Sequence, residues 1–208
     1  MAVSEWTEYF DHEASLRDNI GQLYQHLPMF IEIMESAPKA VLEVGIGTGV
    51  MSATLAAIAG LRATGVDIEE SLLEAASRRW ENVGGLEFAA ADAFQLDRVF
   101  EPDTFDVAFS QGFFEHFTDE QIRELAVKQL RVARRVVFSV PSDQYGRRDL
   151  GDERLMSDVQ WLNILDGVGR VTTTYYGANR RYLIKPWGPF GGLGRMRYWH
   201  VLSVIDRE

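Results

Sequence analysis

Val41-Leu42-Glu43-Val44-Gly45-Ile46-Gly47-Thr48-Gly49 runs directly into Val50-Met51-Ser52-Ala53-Thr54-Leu55-Ala56. The first four residues, three of them apolar, read as a short buried strand. The Gly-x-Gly-x-Gly segment reads as a tight turn, and the small residues after it open a helix. Glycines allow the turn and a close approach of backbone to a ligand, and the helix N-terminus behind them offers free N–H groups. The dinucleotide fingerprint Gly-x-Gly-x-x-Gly would need glycine at position 50, where the chain has Val50, which disfavours a nicotinamide cofactor. Glu43 lies inside the strand. Burying a carboxylate is unfavourable unless it meets a cationic or hydrogen-bonding group at the turn.

Working outward, 208 residues suit one domain with a substantial core and would be cramped for two. The absence of cysteine excludes disulfides, thiolate metal sites and a cysteine nucleophile. No apolar run approaches membrane-spanning length, and the first residues are polar and acidic rather than basic then apolar. A cytoplasmic protein is therefore expected, with no membrane contact. A formal net charge of -10 argues against general nucleic-acid binding. That charge is uneven. From Gly167 to Ile205 there is no acid, while Arg170, Arg180, Arg181, Lys185, Arg195 and Arg197 are basic.

Residues 1–38 read as a helical cap, bent or restarted at Pro28, with Leu16, Ile20, Leu23, Tyr24 and Leu27 at helical spacing forming the inward face. Residues 39–141 read as strand–helix alternation. Ala63 to Ile68 is a second strand ending at Asp67, about 20 residues beyond the glycine turn, where a carboxylate can accept hydrogen bonds from ribose hydroxyls. Glu69 and Glu70 then suit the acidic first turn of a helix, as caps and solvated charges. Leu86 to Ala93 is a third strand and turn carrying Asp92, and Phe105 to Gly112 a fourth, led by a structural Asp106. Thr118 and Gln121 spell a capping box for the next helix. Arg134 to Pro141 is a fifth strand. In residues 142–208, Asp158 to Leu165 reads as a helix, Arg170 to Tyr176 as a strand, and Arg197 to Ile205 as a last strand at an antiparallel edge.

Glu-x-Gly-x-Gly-x-Gly, followed by acids at the ends of the next two strands, resembles the class I S-adenosylmethionine (SAM) dependent methyltransferases over about Val41 to Pro141. The resemblance implies a single doubly wound α/β domain with a mostly parallel, seven-stranded, Rossmann-like sheet and helices on both faces. It implies SAM as cofactor, S-adenosylhomocysteine as product, and methyl transfer to an oxygen, nitrogen or carbon of a small acceptor. On this basis the cofactor site comprises Glu43, Gly45, Ile46, Gly47, Thr48 and Gly49 at the first turn. It continues through Asp67 and Ile68 at the ribose, Asp92 and Ala93 at the adenine edge, and Gln111 near the methionine moiety. Tyr9-Phe10-Asp11-His12-Glu13-Ala14 resembles an N-terminal element of some small-molecule methyltransferases, which adds Tyr9. His116 follows the fourth strand, and because an imidazole ordinarily changes charge near neutral pH it is the candidate general base, with packing between Phe114 and Phe117 as its alternative role. Glu115-His116 is similar to part of a metal-assisted Glu-x-x-Glu-His pattern, but Gly112 stands in place of the first acid, so no metal is expected. Tyr175, Tyr176, Tyr182, Trp187, Phe190, Tyr198 and Trp199 crowd the acid-free stretch and suit an anionic or aromatic acceptor, or else build the sheet edge. An RNA or protein methyltransferase, or a SAM-binding regulator without turnover, are the competing readings.

Overall fold

The computed structural model describes residues 16–149, 151–178 and 198–208. Tyr9 and His12 lie outside the described residues, as do Tyr182, Trp187, Phe190 and five of the six basic residues of the acid-free stretch. Among the described residues the elements are α1 (Leu16–Gln25), α2 (Leu27–Glu35), β1 (Ala40–Val44), α3 (Val50–Ala59), β2 (Arg62–Asp67), α4 (Glu70–Arg79) and β3 (Leu86–Ala90). They continue as α5 (Leu96–Val99), β4 (Phe105–Gln111), α6 (Asp119–Val132), β5 (Ala133–Pro141), α7 (Asp158–Leu165), β6 (Arg170–Ala178) and β7 (Tyr198–Asp206).

The strands form one sheet in the order β3-β2-β1-β4-β5-β7-β6. The first five are parallel, while β7 runs antiparallel to both β5 and β6. These two strands make the edge region, but β6, which runs in the same direction as β5, is outermost, and the antiparallel β7, expected at the edge, lies inside it. The strand order reverses between β1 and β4. Loops leaving the carboxyl ends of those two strands therefore diverge and open a crevice, the place where ligands bind in open α/β sheets.

Alternation along the strands assigns the two faces. Val136, Phe138 and Val140 of β5 join α6 and α7 in one core, while Val137 faces the opposite core with α2 and α3. On β1, Val41 points towards α3 and Leu42 away from it, which places Glu43 on the α3 side. Asp106 at the head of β4 accepts from the backbone N–H groups of Lys39 and Ala40, tying the entry of β1 to its neighbour. The capping box at Thr118 and Gln121 is present, and a second starts α7 at Ser157 and Gln160.

The inward face of the N-terminal helices differs from the expected one. Ile20, Tyr24 and Leu27 are exposed, Tyr24 at 76%, whereas Met29 and Ile33 are fully buried with Leu23 and Phe30 beside them. The restart at Leu27, with Pro28 in the first turn, shifts the helical phase, so positions counted across the break no longer share a face. His26 at the break turns inward instead. Its Nδ1 meets the Tyr176 hydroxyl at 2.6 Å, that hydroxyl also bonds Ser139, and Gln25 meets His200 at 3.1 Å. No helix among the described residues is long and apolar enough to cross a membrane.

Candidate active site

A cavity of about 350 Å³ opens at the switch point, beyond the ends of β1, β2 and β4. The glycine turn makes its floor. Gly45 has φ 76°, and a Cβ there would fall 2.6 Å from the Phe113 ring, so only glycine fits. Gly49, also left-handed, precedes α3 and packs beside Phe88 rather than facing the cavity. The indole N–H of Trp80 donates to the Thr48 carbonyl at 2.9 Å and pins the turn from outside.

Glu43 reaches the cavity from the α3 side of β1 and is 2% exposed. Its Oε2 accepts from the Ser52 backbone N–H at 3.1 Å and from the Ser52 hydroxyl at 2.5 Å. Burial pushes its pKa up to about 7 despite these two bonds, and the nearby Asp67 adds to the rise. A cationic group in the cavity would reverse that shift. Asp67 ends β2. Its Oδ2 accepts from the Ile46 N–H at 3.1 Å and its Oδ1 from the Glu69 N–H at 3.0 Å, so the carboxylate joins the first and second strand ends. Burial raises its pKa, and the backbone bonds to Glu69, Ile46 and Ile68 oppose the rise. Each carboxylate oxygen still has acceptor capacity to offer a ligand.

The opposite wall comes from the segment after β4. Phe114 is fully buried and stacks on Phe138 with centroids 4.3 Å apart, while Trp161 meets Phe138 edge-on at 5.2 Å. This aromatic column fixes the short turn Phe114–His116 and holds His116 at the cavity wall. His116 Nδ1 lies 2.7 Å from Asp152 Oδ1, and its Nε2 lies 4.0 Å from Glu115 Oε1. Glu115 is 2% exposed, and its Oε2 has no hydrogen-bond partner among the described residues. Burial, with Glu153 and Asp152 nearby, pushes its pKa up to about 8. Arg154 straps the loop to this wall. Its N–H donates to the Glu115 carbonyl at 3.0 Å, its guanidinium to the Phe117 carbonyl at 2.7 Å, and it pairs with Asp119.

The cavity thus brings together Glu43, Gly45, Ile46, Gly47, Thr48, Asp67, Ile68, Gln111 and His116. Asp92 and Ala93 do not line it. The Asp92 carboxylate accepts from the Phe94 N–H and from Gln95 Nε2, both at 2.9 Å, and so caps the turn after β3. Gln22 and Asp152 line the cavity without any local motif to mark them, and Glu69, expected as a solvated charge, lines it as well. Tyr175, Tyr176, Tyr198 and Trp199 are not lining residues, and the described lining contains no Lys, Arg, Tyr or Trp. No group of three or more His, Asp or Glu among the described residues could hold a metal ion.

Residues 41–135 match a family model described as "Methyltransferase domain". Over 103 residues the chain is 30% identical to phosphoethanolamine N-methyltransferase 1 of Zea mays, a match that covers 48% of this chain and 20% of that protein. The chain therefore spans only a small part of this curated relative. Its structure is similar to that of a SAM-dependent methyltransferase from Archaeoglobus fulgidus, with TM-score 0.69, 16% identity and 100% of both chains covered. It is also similar to Haemonchus contortus phosphoethanolamine N-methyltransferase 2 in complex with phosphomonomethylethanolamine and S-adenosylhomocysteine. There the TM-score is 0.66 and the identity 14%, over 100% of this chain and 61% of that one.

Proposed function

We propose, from the premise that residues 41–135 form a class I SAM-dependent methyltransferase domain, that the protein methylates a small-molecule acceptor. The observation that carries this reading is the meeting of Glu43, the glycine turn and Asp67 around one cavity at the switch point. The fit to SAM is chemical. A buried carboxylate with its pKa pushed up to about 7 is completed by an α-ammonium, and the Asp67 carboxylate by ribose hydroxyls. Bound SAM supplies an electrophilic methyl group on a sulfonium.

The chain's own work is then alignment and proton management. Glu43 would hold the amino-acid end, Asp67 the ribose, and the floor from Gly45 to Thr48 would let backbone approach closely. A carboxylate only accepts hydrogen bonds, so in the His116–Asp152 contact the imidazole Nδ1 donates and the carboxylate orients the ring. His116 is thus placed to act as general base for an acceptor that arrives protonated, with Asp152 as its positioning residue. The cavity's volume of about 350 Å³ supports a small acceptor, as do the maize relative and the Haemonchus protein, which are named for a small phosphorylated amine.

Thermal denaturation tests the cofactor. SAM and S-adenosylhomocysteine should raise the midpoint by mass action while NAD and ATP leave it unchanged. Equal stabilisation by NAD would sink the reading.

A further inference from the structure

We propose that His26 and Tyr176 are positioning residues of the active site: their hydrogen bond fixes the break between α1 and α2 and so holds Gln22 in the cavity wall. This rests on the methyl-transfer reading of the same cavity. Gln22 is the described lining residue that the N-terminal helices contribute, and its Nε2 approaches Gln111 Oε1 at 3.5 Å. That contact is long and does not by itself hold α1 in place. Apolar packing adds little. Among the described side chains of α1, Leu23 packs partly buried against the core, while Ile20 and Tyr24 are exposed. By contrast, α2 is anchored by the fully buried Met29 and Ile33.

What fastens α1 is a set of polar contacts at the break. His26 lies one turn after Gln22, donates its backbone N–H to the Gln22 carbonyl at 3.0 Å, and is 3% exposed. Its Nδ1 meets the Tyr176 hydroxyl, which also bonds Ser139. Ser139 in turn stands in register with Gln111 on the neighbouring strand, and its carbonyl accepts from the Gly112 N–H at 2.8 Å. The same two strand ends therefore carry the cavity residue Gln111 and the clasp that sets Gln22 relative to it. Burial keeps the His26 and His200 rings neutral, so the bonds they make are directional rather than ionic. A hydrogen bond between neutral groups adds little net stability, but it fixes distance and orientation where apolar contact would let the helix slide. His200 accepts the Gln25 contact at Nε2, while its Nδ1 is buried without a hydrogen-bond partner among the described residues. Release of α1 would return that atom to water, so the closed position depends the more on the His26–Tyr176 bond.

The test is amide hydrogen exchange across Leu16–Gln25, with and without S-adenosylhomocysteine, together with the rate at which that ligand dissociates. Three substitutions separate positioning from packing. His26→Leu fills the site without a polar atom, and Tyr176→Phe removes only the hydroxyl. His26→Asn is smaller but returns a polar atom at the reach of Nδ1. His26→Leu and Tyr176→Phe should speed both α1 exchange and ligand release about 3- to 10-fold, the factor carried by one hydrogen bond. The ligand-free thermal midpoint of His26→Leu should stay near that of the wild type, because Tyr176 keeps its bond to Ser139. His26→Asn should hold both rates near wild type even as its smaller side chain lowers the midpoint. Packing alone predicts the reverse order, with Leu preserving α1 and Asn loosening it. That order, or three variants that behave alike, overturns the positioning role and leaves the cofactor site standing. In the wild-type protein the ligand should slow exchange in α1; a ligand that raises the midpoint without slowing it overturns the role as well. Failure of S-adenosylhomocysteine to raise the midpoint at all removes the methyl-transfer reading, and this role with it.

Discussion

Glu43 sits on the α3 side of β1, where Ser52 donates two hydrogen bonds to one of its oxygens, yet burial still pushes its pKa up to about 7. An acid whose folded-state pKa lies above its unfolded value contributes most stability at low pH, and that contribution is lost as pH rises from about 4.5 through 7. Glu43→Gln should therefore raise the unfolding free energy of the ligand-free protein above pH 7, by at most about 3 kcal/mol, and change it little near pH 5. Affinity for S-adenosylhomocysteine should fall in the same variant. Chemical denaturation at the two pH values, beside calorimetric titration, checks both; a variant destabilised at pH 8 would show that the carboxylate serves folding. Glu43 and Asp67 were legible in the sequence because each stands at a strand end beside a recognisable turn. Asp152 and Gln22 were not. They reach the cavity from sequence-distant segments, and no local pattern reports a contact closed by tertiary folding.

At the scale of elements, the parallel half of the sheet could be read in order because each strand–turn–helix unit is specified locally. Phase errors arose where an element was interrupted. The restart at Leu27 rotated the N-terminal helical face towards His26, Met29 and Ile33, and the place of β7 between β5 and β6 depends on pairing that periodicity does not encode. The strap carrying Asp152 is a further long-range feature, anchored by Arg154 on the Glu115 and Phe117 carbonyls and on Asp119. Arg154→Ala should lower stability by about 1–2 kcal/mol, reduced from the usual worth of charge-assisted bonds because the side chain is partly exposed. It should also slow methyl transfer with cofactor affinity unchanged, since the strap meets the His116 wall rather than Asp67. Urea melts and single-turnover rates on the variant measure the two effects; a loss of cofactor affinity alone would contradict that placement.

For the whole molecule, two sets of buried groups titrate in opposite senses. Glu43 and Glu115, with pKa values near 7 and 8, stabilise the fold progressively as pH falls from about 8. His26 and His200 are pushed down by burial to about 3 and 4, so the fold needs them neutral and loses stability as pH falls below about 6.5. The formal charge of -10 adds self-repulsion at high pH. Stability of the ligand-free protein should therefore rise from pH 8.5 to 6.5, level off as the two sets offset one another, and fall below about 4.5. A midpoint-versus-pH series in matched ionic strength reads this directly, and a maximum above pH 8 would contradict the buried-acid assignment.

The central claim is that one cavity at the switch point holds the methyl donor between Glu43 and Asp67. A crystal structure with S-adenosylhomocysteine tests it most directly. The ribose hydroxyls should lie within hydrogen-bond distance of the Asp67 carboxylate, the α-ammonium beside Glu43, and the sulfur should face the wall that carries His116 and Asp152. A ligand bound elsewhere, or with its ribose at Glu43 and its amino group at Asp67, would contradict the assignment.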